Sequence, residues 1–273
     1  LSEPNASYLA AYRVSDGTLL FPAEYFPSPI DGADWRTATL VNTLPPADPQ
    51  PERDGVSPLY QTVMSESNFA ERQSLAALDE IKAPYPYLLP AAKDSFTRLR
   101  SAAAEKLGWD FLASLDDAAL PISAPPQPGI IPNWLYTGRA INVQSAPLSA
   151  GWMTIAREEY DGRVYWRLWV KCFNQDGSCG EPQKAPSWDF SSRYLGDGAF
   201  YEEGGKLGGL PTGYWIDFTN LALELGWERM PAMSNWRSYF QGTLYNQFVF
   251  RQGLSWSDAM LQLYPSDVVS SIP

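Results

Sequence analysis

Asp161-Gly162 restricts this chain more than any other feature, because an Asp-Gly pair between two β-rich runs closes a two-residue hairpin. The flanking runs are Gly151 to Tyr160 and Arg163 to Phe173. A turn of that length sets the register: Glu159 faces Val164, Arg157 faces Trp166, and Ile155 faces Leu168. Because a slip of one residue would turn every side chain over, the register also assigns the two faces. Met153, Ile155, Val164, Trp166, Leu168 and Val170 form a core side. Trp152, Thr154, Glu158, Tyr165, Arg167, Trp169 and Lys171 form the other.

The stretch Gly213 to Phe250 predicts strand, short helix, loop, strand. Asp217 can cap a helix with the apolar stripe Leu221, Ala222 and Leu225, and Gly226 supplies its left-handed stop. Leu244 to Phe250 is rich in β-formers and returns as a buried strand. Pro90 to Leu107 is the clearest helix, with Ala92, Phe96, Leu99, Ala103 and Leu107 on one stripe and Gly108 after it. Ser255 and Asp258 make a capping box for a helix bearing Trp256, Ala259, Met260 and Leu263, ended by Pro265. Glu66 to Ile81 predicts a further helix, and Trp109 to Leu115 a short buried strand.

Toward the start, Tyr8 to Val14, Thr18 to Phe21 and Thr37 to Leu44 are β-like, and the Pro-rich segment Pro45 to Pro58 is an expected loop. Pro121 to Pro132, with five prolines, is either a linker or an extended wrap on one domain. The expected fold is α+β: a mixed or antiparallel sheet with three to four helices and a Pro-rich N-terminal β extension. That extension covers residues 1–65, a main domain 66–265, and a tail 266–273.

With a net charge of −11, the 273-residue chain lacks the basic surface that nucleic acid or an anionic membrane requires. No apolar run approaches the length of a bilayer span. Cys172 and Cys179, the only cysteines, flank a short loop suited to a local disulfide, with two free thiols as the alternative. Closing such a loop contributes about 2–3 kcal/mol in the chain-entropy picture. A disulfide favours an extracytoplasmic, secreted or cell-surface location, and a chain beginning at Leu1 suits a processed product.

There is no histidine. That removes Ser-His-Asp and Cys-His triads and histidine-ligated zinc hydrolases. Paired carboxylates can hydrolyse glycosides without histidine, and Glu158, Asp189, Asp197, Glu202 and Glu203 are the candidates. The stronger signal is aromatic: nine of the eleven tryptophans lie at or after Trp134. Tyr165, Arg167, Trp169 and Lys171 would make a flat basic face on an acidic protein, the composition used to recognise peptides, carboxylates or sugars. Alternatively, this face packs under another element.

From Leu88 onward the order of elements resembles the D-alanyl-D-alanine carboxypeptidases related to the hedgehog domain. The run that would match their motif is Asn133-Trp134-Leu135-Tyr136-Thr137-Gly138-Arg139-Ala140-Ile141-Asn142. Gly138 and Ala140 fit, but Leu135 and Asn142 stand at zinc-ligand positions, and the late strand through Tyr245-Asn246 has no histidine. The resemblance implies a relative without zinc chemistry that keeps a peptide-holding groove beside Trp134, Tyr136 and Arg139. The Gly-Tyr-Trp and Asn235-Trp236-Arg237 runs are similar to those of uncharacterised bacterial surface proteins.

The resulting expectation is a non-catalytic cell-surface domain that binds cell-wall peptide or glycan through an aromatic-basic groove. Its residues would be Trp134, Tyr136, Arg139, Tyr165, Arg167, Trp169, Trp236 and Arg237, with no cofactor and no metal. The alternatives are a structural subunit of a surface layer or filament, which binds copies of itself, and a carboxylate-based glycosidase.

Overall fold

The computed structural model describes residues 72–124 and 132–272, with three strands near the start of the chain. The chain divides into two compact units, Leu1–Val56 and Ser57–Pro273. In the first, β1 (Ser2–Glu3), β2 (Ala6–Leu9) and β3 (Glu24–Phe26) form an antiparallel sheet in that order. The strands expected at 18–21 and 37–44, the loop at 45–58 and most of the Pro-rich seam at 121–132 lie outside the described residues.

The second unit is built on the hairpin. β8 (Met153–Tyr160) and β9 (Arg163–Lys171) pair in the register that the turn dictates, Glu159 to Val164, Arg157 to Trp166 and Ile155 to Leu168. β12 (Trp215–Asp217) adds to β9 as a third antiparallel strand. A second sheet runs in the order β13 (Glu228–Arg229), β14 (Gln247–Val249), β7 (Ala140–Val143), β6 (Leu115–Asp117), also antiparallel. Two small ladders complete the sheets: β4 (Ala76–Ala77) with β5 (Tyr87–Leu88), and β10 (Trp188–Asp189) with β11 (Lys206–Leu207).

The helices are α1 (Pro90–Leu107), α2 (Ala146–Ser149), α3 (Gly198–Glu202), α4 (Phe218–Glu224), α5 (Trp256–Leu261) and α6 (Ser266–Ser271). The chain is thus α+β. Among the described residues it has six α-helices, slightly more than the three or four expected, because α2, α3 and α6 are short helices that the sequence pattern did not mark. The predicted stripe of α1 is wholly buried, each of its five residues at most 1% exposed. The Asp217 carboxylate accepts from the Asn220 amide at the start of α4, and Ser255 Oγ accepts from the Asp258 amide at the start of α5. α4 docks on β9 through Thr219 Oγ1, which accepts from the Leu168 amide at 2.8 Å.

Three local expectations change. Over 72–81 the chain is extended and turned rather than helical, because β4 pairs with β5 and the Leu78 amide donates to Pro86 O. Residues 109–113 form bends and turns, Ser114 makes a single bridge to Lys82, and the strand begins only at Leu115. The expected tail is α6, whose Val269 packs on Tyr136 and Met260.

The core is unusually aromatic. The Trp166 indole meets Phe190, Trp236 and Trp188 with ring centroids 4.7, 5.1 and 6.0 Å away. Phe218 bridges Phe111 and Phe248, and Trp227 bridges Phe96 and Phe250. A buried polar contact locks α1 in place: Ser95 Oγ donates to Leu225 O and accepts from Trp227 Nε1. Cys172 and Cys179 form the disulfide, and the Gln175 amide crosses its loop by donating to Cys172 O.

Candidate functional site

The eight residues predicted to share one groove lie in three places. Trp134 and Tyr136 belong to a single 3-10 turn, Trp134–Thr137, started by Asn133, whose side chain accepts from the Leu135 amide. Both are 3% exposed. Arg251 covers the Trp134 ring at 4.6 Å, and the Tyr136 hydroxyl donates to Ala124 O. Arg139 is buried to the same degree. Its Nε and Nη2 donate to Gln262 Oε1 at 3.0 and 2.7 Å, and its Nη1 to Phe250 O and Gln252 Oε1. Among the described residues it has no carboxylate partner, and burial pulls its pKa down to about 10. These three side chains join α5 and α6 to the sheet; they do not face solvent as a groove would need. α6, read as a tail, is part of what covers them.

Tyr165, Arg167 and Trp169 lie on the second face of the hairpin, where Arg167 is paired with carboxylates instead of being presented to solvent as a free cation. Tyr165 is 2% exposed and lies under the Arg229 guanidinium at 5.3 Å. Arg167 bridges Glu158 and Asp217, and Arg229 meets Glu158 at 2.6 Å. Two arginines against two carboxylates leave this network without net charge, and Trp169 is half-buried beside it.

The network has a pH signature. Burial works against ionisation of Glu158, but the Arg167 hydrogen bond and the charges of Arg229 and Arg167 outweigh it and hold the carboxyl below its ordinary 4.5. A carboxyl lowered in this way stabilises the native state above its unfolded pKa, and the contribution is lost as pH falls through the folded value. Asp117 and Glu228, both raised by burial, act in the opposite sense. We expect the melting temperature of Glu158→Gln to fall less than that of the parent as pH drops below about 4.5. Parallel acid limbs for the two proteins would show that the network is energetically idle.

Trp236 and Arg237 lie at the distal end of the hairpin, in a cleft of about 420 Å³. Arg157, Glu159 and Arg163 line it from the hairpin, and Met233, Trp236 and Arg237 from the loop after β13. The Trp236 indole, itself 3% exposed, is the floor. The Arg157 guanidinium lies 5.4 Å from both the Trp236 and Trp188 ring centroids, and Arg237 lies 5.2 Å from Trp236. Beneath them Arg193, 4% exposed, packs between Phe190 and Phe240 and donates to Gly204 O and Trp236 O. A guanidinium stacked on an aromatic face keeps its in-plane N–H groups available for a planar acceptor.

The charge in the cleft is reversed relative to the chain: three arginines against one glutamate, on a protein of net charge −11. Arg157 pairs with Glu159, and Arg237 approaches Glu203 at 3.8 Å. Arg163 is exposed and has no ion pair among the described residues. The arrangement can hold an anionic group against an aromatic base. Arg157 and Arg163 were not singled out from the sequence. Their signal was the register, which sets Arg157 beside Trp166 on the core face, where a cation has to find an aromatic or a carboxylate.

The other candidates are engaged elsewhere. Asp189 accepts from the Ser191 amide, and Asp197 caps α3 through the Ala199 amide. Asn142 donates to Asp117 and accepts from Gln247, a ladder of polar side chains across β6, β7 and β14. A separate, nearly wholly apolar hollow of about 400 Å³ is lined by Trp109, Pro147, Trp152 and Phe173 among others. Comparison with known protein families, with curated proteins and with solved structures gave no match to this chain.

Proposed function

We propose that this protein is a non-catalytic, extracytoplasmic binding domain that holds a cell-wall peptide or glycan in the arginine–tryptophan cleft. The observation that carries this reading is the positive cleft on an acidic protein, with two of its three arginines stacked on the Trp236 indole and Arg163 uncommitted. Stacked, pre-oriented guanidinium groups lose little freedom on binding, so their charge-assisted hydrogen bonds are retained as affinity. The disulfide supports the location, and among the described residues no helix is long and apolar enough to cross a membrane. The same reading takes the frame as a histidine-free relative of the D-alanyl-D-alanine carboxypeptidases, with Leu135 and Asn142 at the former ligand positions.

The test is sedimentation of the purified chain with and without peptidoglycan fragments, followed by titration of soluble fragments. Arg163→Ala and Arg237→Ala should each weaken binding about tenfold, or about 1.4 kcal/mol, with melting temperatures little changed, because Arg163 is exposed and the Arg237 side chain is 45% exposed with one long ion pair at 3.8 Å. Variants that bind like the parent, or a parent that does not pellet with wall material, would defeat the reading. A second reading, a structural subunit that packs against its own copies, is favoured by the apolar hollow and by Tyr194 and Leu195, which are 70% and 69% exposed. Assembly at high concentration without wall material would put that reading first.

A further inference from the structure

We infer that the cleft selects ligands bearing a free carboxylate, and that Glu159 is an internal stand-in which such a ligand displaces from Arg157. The inference rests on the cleft being the binding site. Glu159 is two residues from Arg157 on β8 and shares its face, since the two oppose Val164 and Trp166. Its carboxylate meets Arg157 Nη2 within the cleft, yet its side chain is 63% exposed, against 21% for Arg157. The two partners are thus held very differently. Arg157 is pinned from behind by two indoles at 5.4 Å, while Glu159 is tethered by one exposed ion pair, a contact of small net strength.

When Glu159 swings away, Arg157 keeps its position and presents the same edge to an incoming acceptor. Arg163, without an ion pair among the described residues, also lines the cleft, from the end of β9 beside the turn. An exposed carboxylate bound to a stacked guanidinium is the chemistry that a carboxylate-bearing ligand would reproduce. A neutral sugar offers nothing equivalent, because it would leave Arg157 either with Glu159 or without an anion. The cleft therefore fits acidic peptide stems or acidic sugars, and Glu159 sets a threshold that neutral material does not pass.

The experiment titrates the full chain with soluble peptidoglycan fragments that carry free carboxylates, and with the same fragments after amidation. The parent should prefer the free carboxylates by at least tenfold. Glu159→Gln should bind them about three- to fivefold more tightly, the scale of one exposed ion pair, and should leave the amidated fragments unaffected. Asp267→Asn, at an exposed position of α6 outside the cleft, makes the same charge change and should leave both affinities as they are. A merely structural Glu159 would lower the melting temperature of Glu159→Gln without sharpening this discrimination.

If the parent binds free and amidated fragments equally, or if Glu159→Gln fails to tighten binding of the free ones, the inference falls while the binding site stands. If Asp267→Asn matches the gain of Glu159→Gln, the effect is one of net charge and the inference falls again. If the parent binds neither fragment, the cleft reading itself fails, and the inference with it.

Discussion

Trp166→Ala is expected to destabilise the protein by about 3–5 kcal/mol, the range for emptying a large aromatic site in a core. The indole is 1% exposed and touches Phe190, Trp236 and Trp188. No neighbour can collapse into the space cheaply, because each is itself a ring held by further rings: Phe190 by Phe240 and Tyr245, Trp236 by Trp188. Chemical denaturation of the purified variant measures the loss. Trp166→Phe is the informative companion. Trp166 Nε1 is buried with no hydrogen-bond partner among the described residues, and leaving such a group unpaired costs about 1–3 kcal/mol. Phenylalanine removes that penalty while keeping an aromatic body, so its net effect should stay within about 1 kcal/mol. If the phenylalanine variant were as unstable as the alanine one, indole volume alone would account for the site.

Gly180→Ala is expected to be nearly as damaging. Gly180 has φ +61, and a Cβ there would lie 2.3 Å from Trp215 O and 3.0 Å from Cys172 Sγ. The neighbouring residue is bonded to that strand in both directions: the Glu181 amide donates to Trp215 O at 3.0 Å, and the Trp215 amide to Glu181 O at 2.9 Å. A methyl group therefore forces backbone apart at the point where β12 is fastened. Left-handed strain of about 1–2 kcal/mol and overpacking of about 1–3 kcal/mol together give about 2–5 kcal/mol. Gly162→Ala separates the two effects. Gly162 also has positive φ, at +70°, but nothing lies within 4 Å of its added Cβ, so it should show only the conformational part. Equal losses at both positions would show that the crowding at Gly180 relaxes freely.

What could be read from the sequence follows from how local each signal is. The β8–β9 register needed only a two-residue turn and strict alternation, and it is correct along the whole hairpin. α1 needed only its stripe, and Asp217 and Ser255 only their caps. By contrast, Leu75, Leu78 and Ile81 mimic helical spacing, yet the chain there is committed to pairing with Tyr87–Leu88 beyond two prolines. α6 has two adjacent valines and no cap signal, so only its packing on Tyr136 and Met260 reveals it.

The proposed cleft was legible only at its edge. Trp236 and Arg237 stood out by composition, but which tryptophans are covered depends on chain that is distant in sequence. The 188–205 segment and the 231–237 loop meet at the hairpin, with Arg193 and Gly204 against Trp236. Arg139 illustrates the opposite error: a buried arginine satisfied by two glutamines and a carbonyl is indistinguishable in sequence from a ligand-binding one.

The cluster of Trp166, Trp188 and Trp236 also has an optical consequence. Three indoles with centroids no more than 6.2 Å apart, two of them in contact with Arg157, exchange excitation energy far faster than they emit. Light absorbed by any one of them is therefore shared within the group, whose surroundings include the Arg157 guanidinium. The cluster thus places three of the chain's eleven tryptophans at or under the cleft, and a ligand that entered it as proposed is expected to change the intrinsic fluorescence, a label-free check independent of sedimentation.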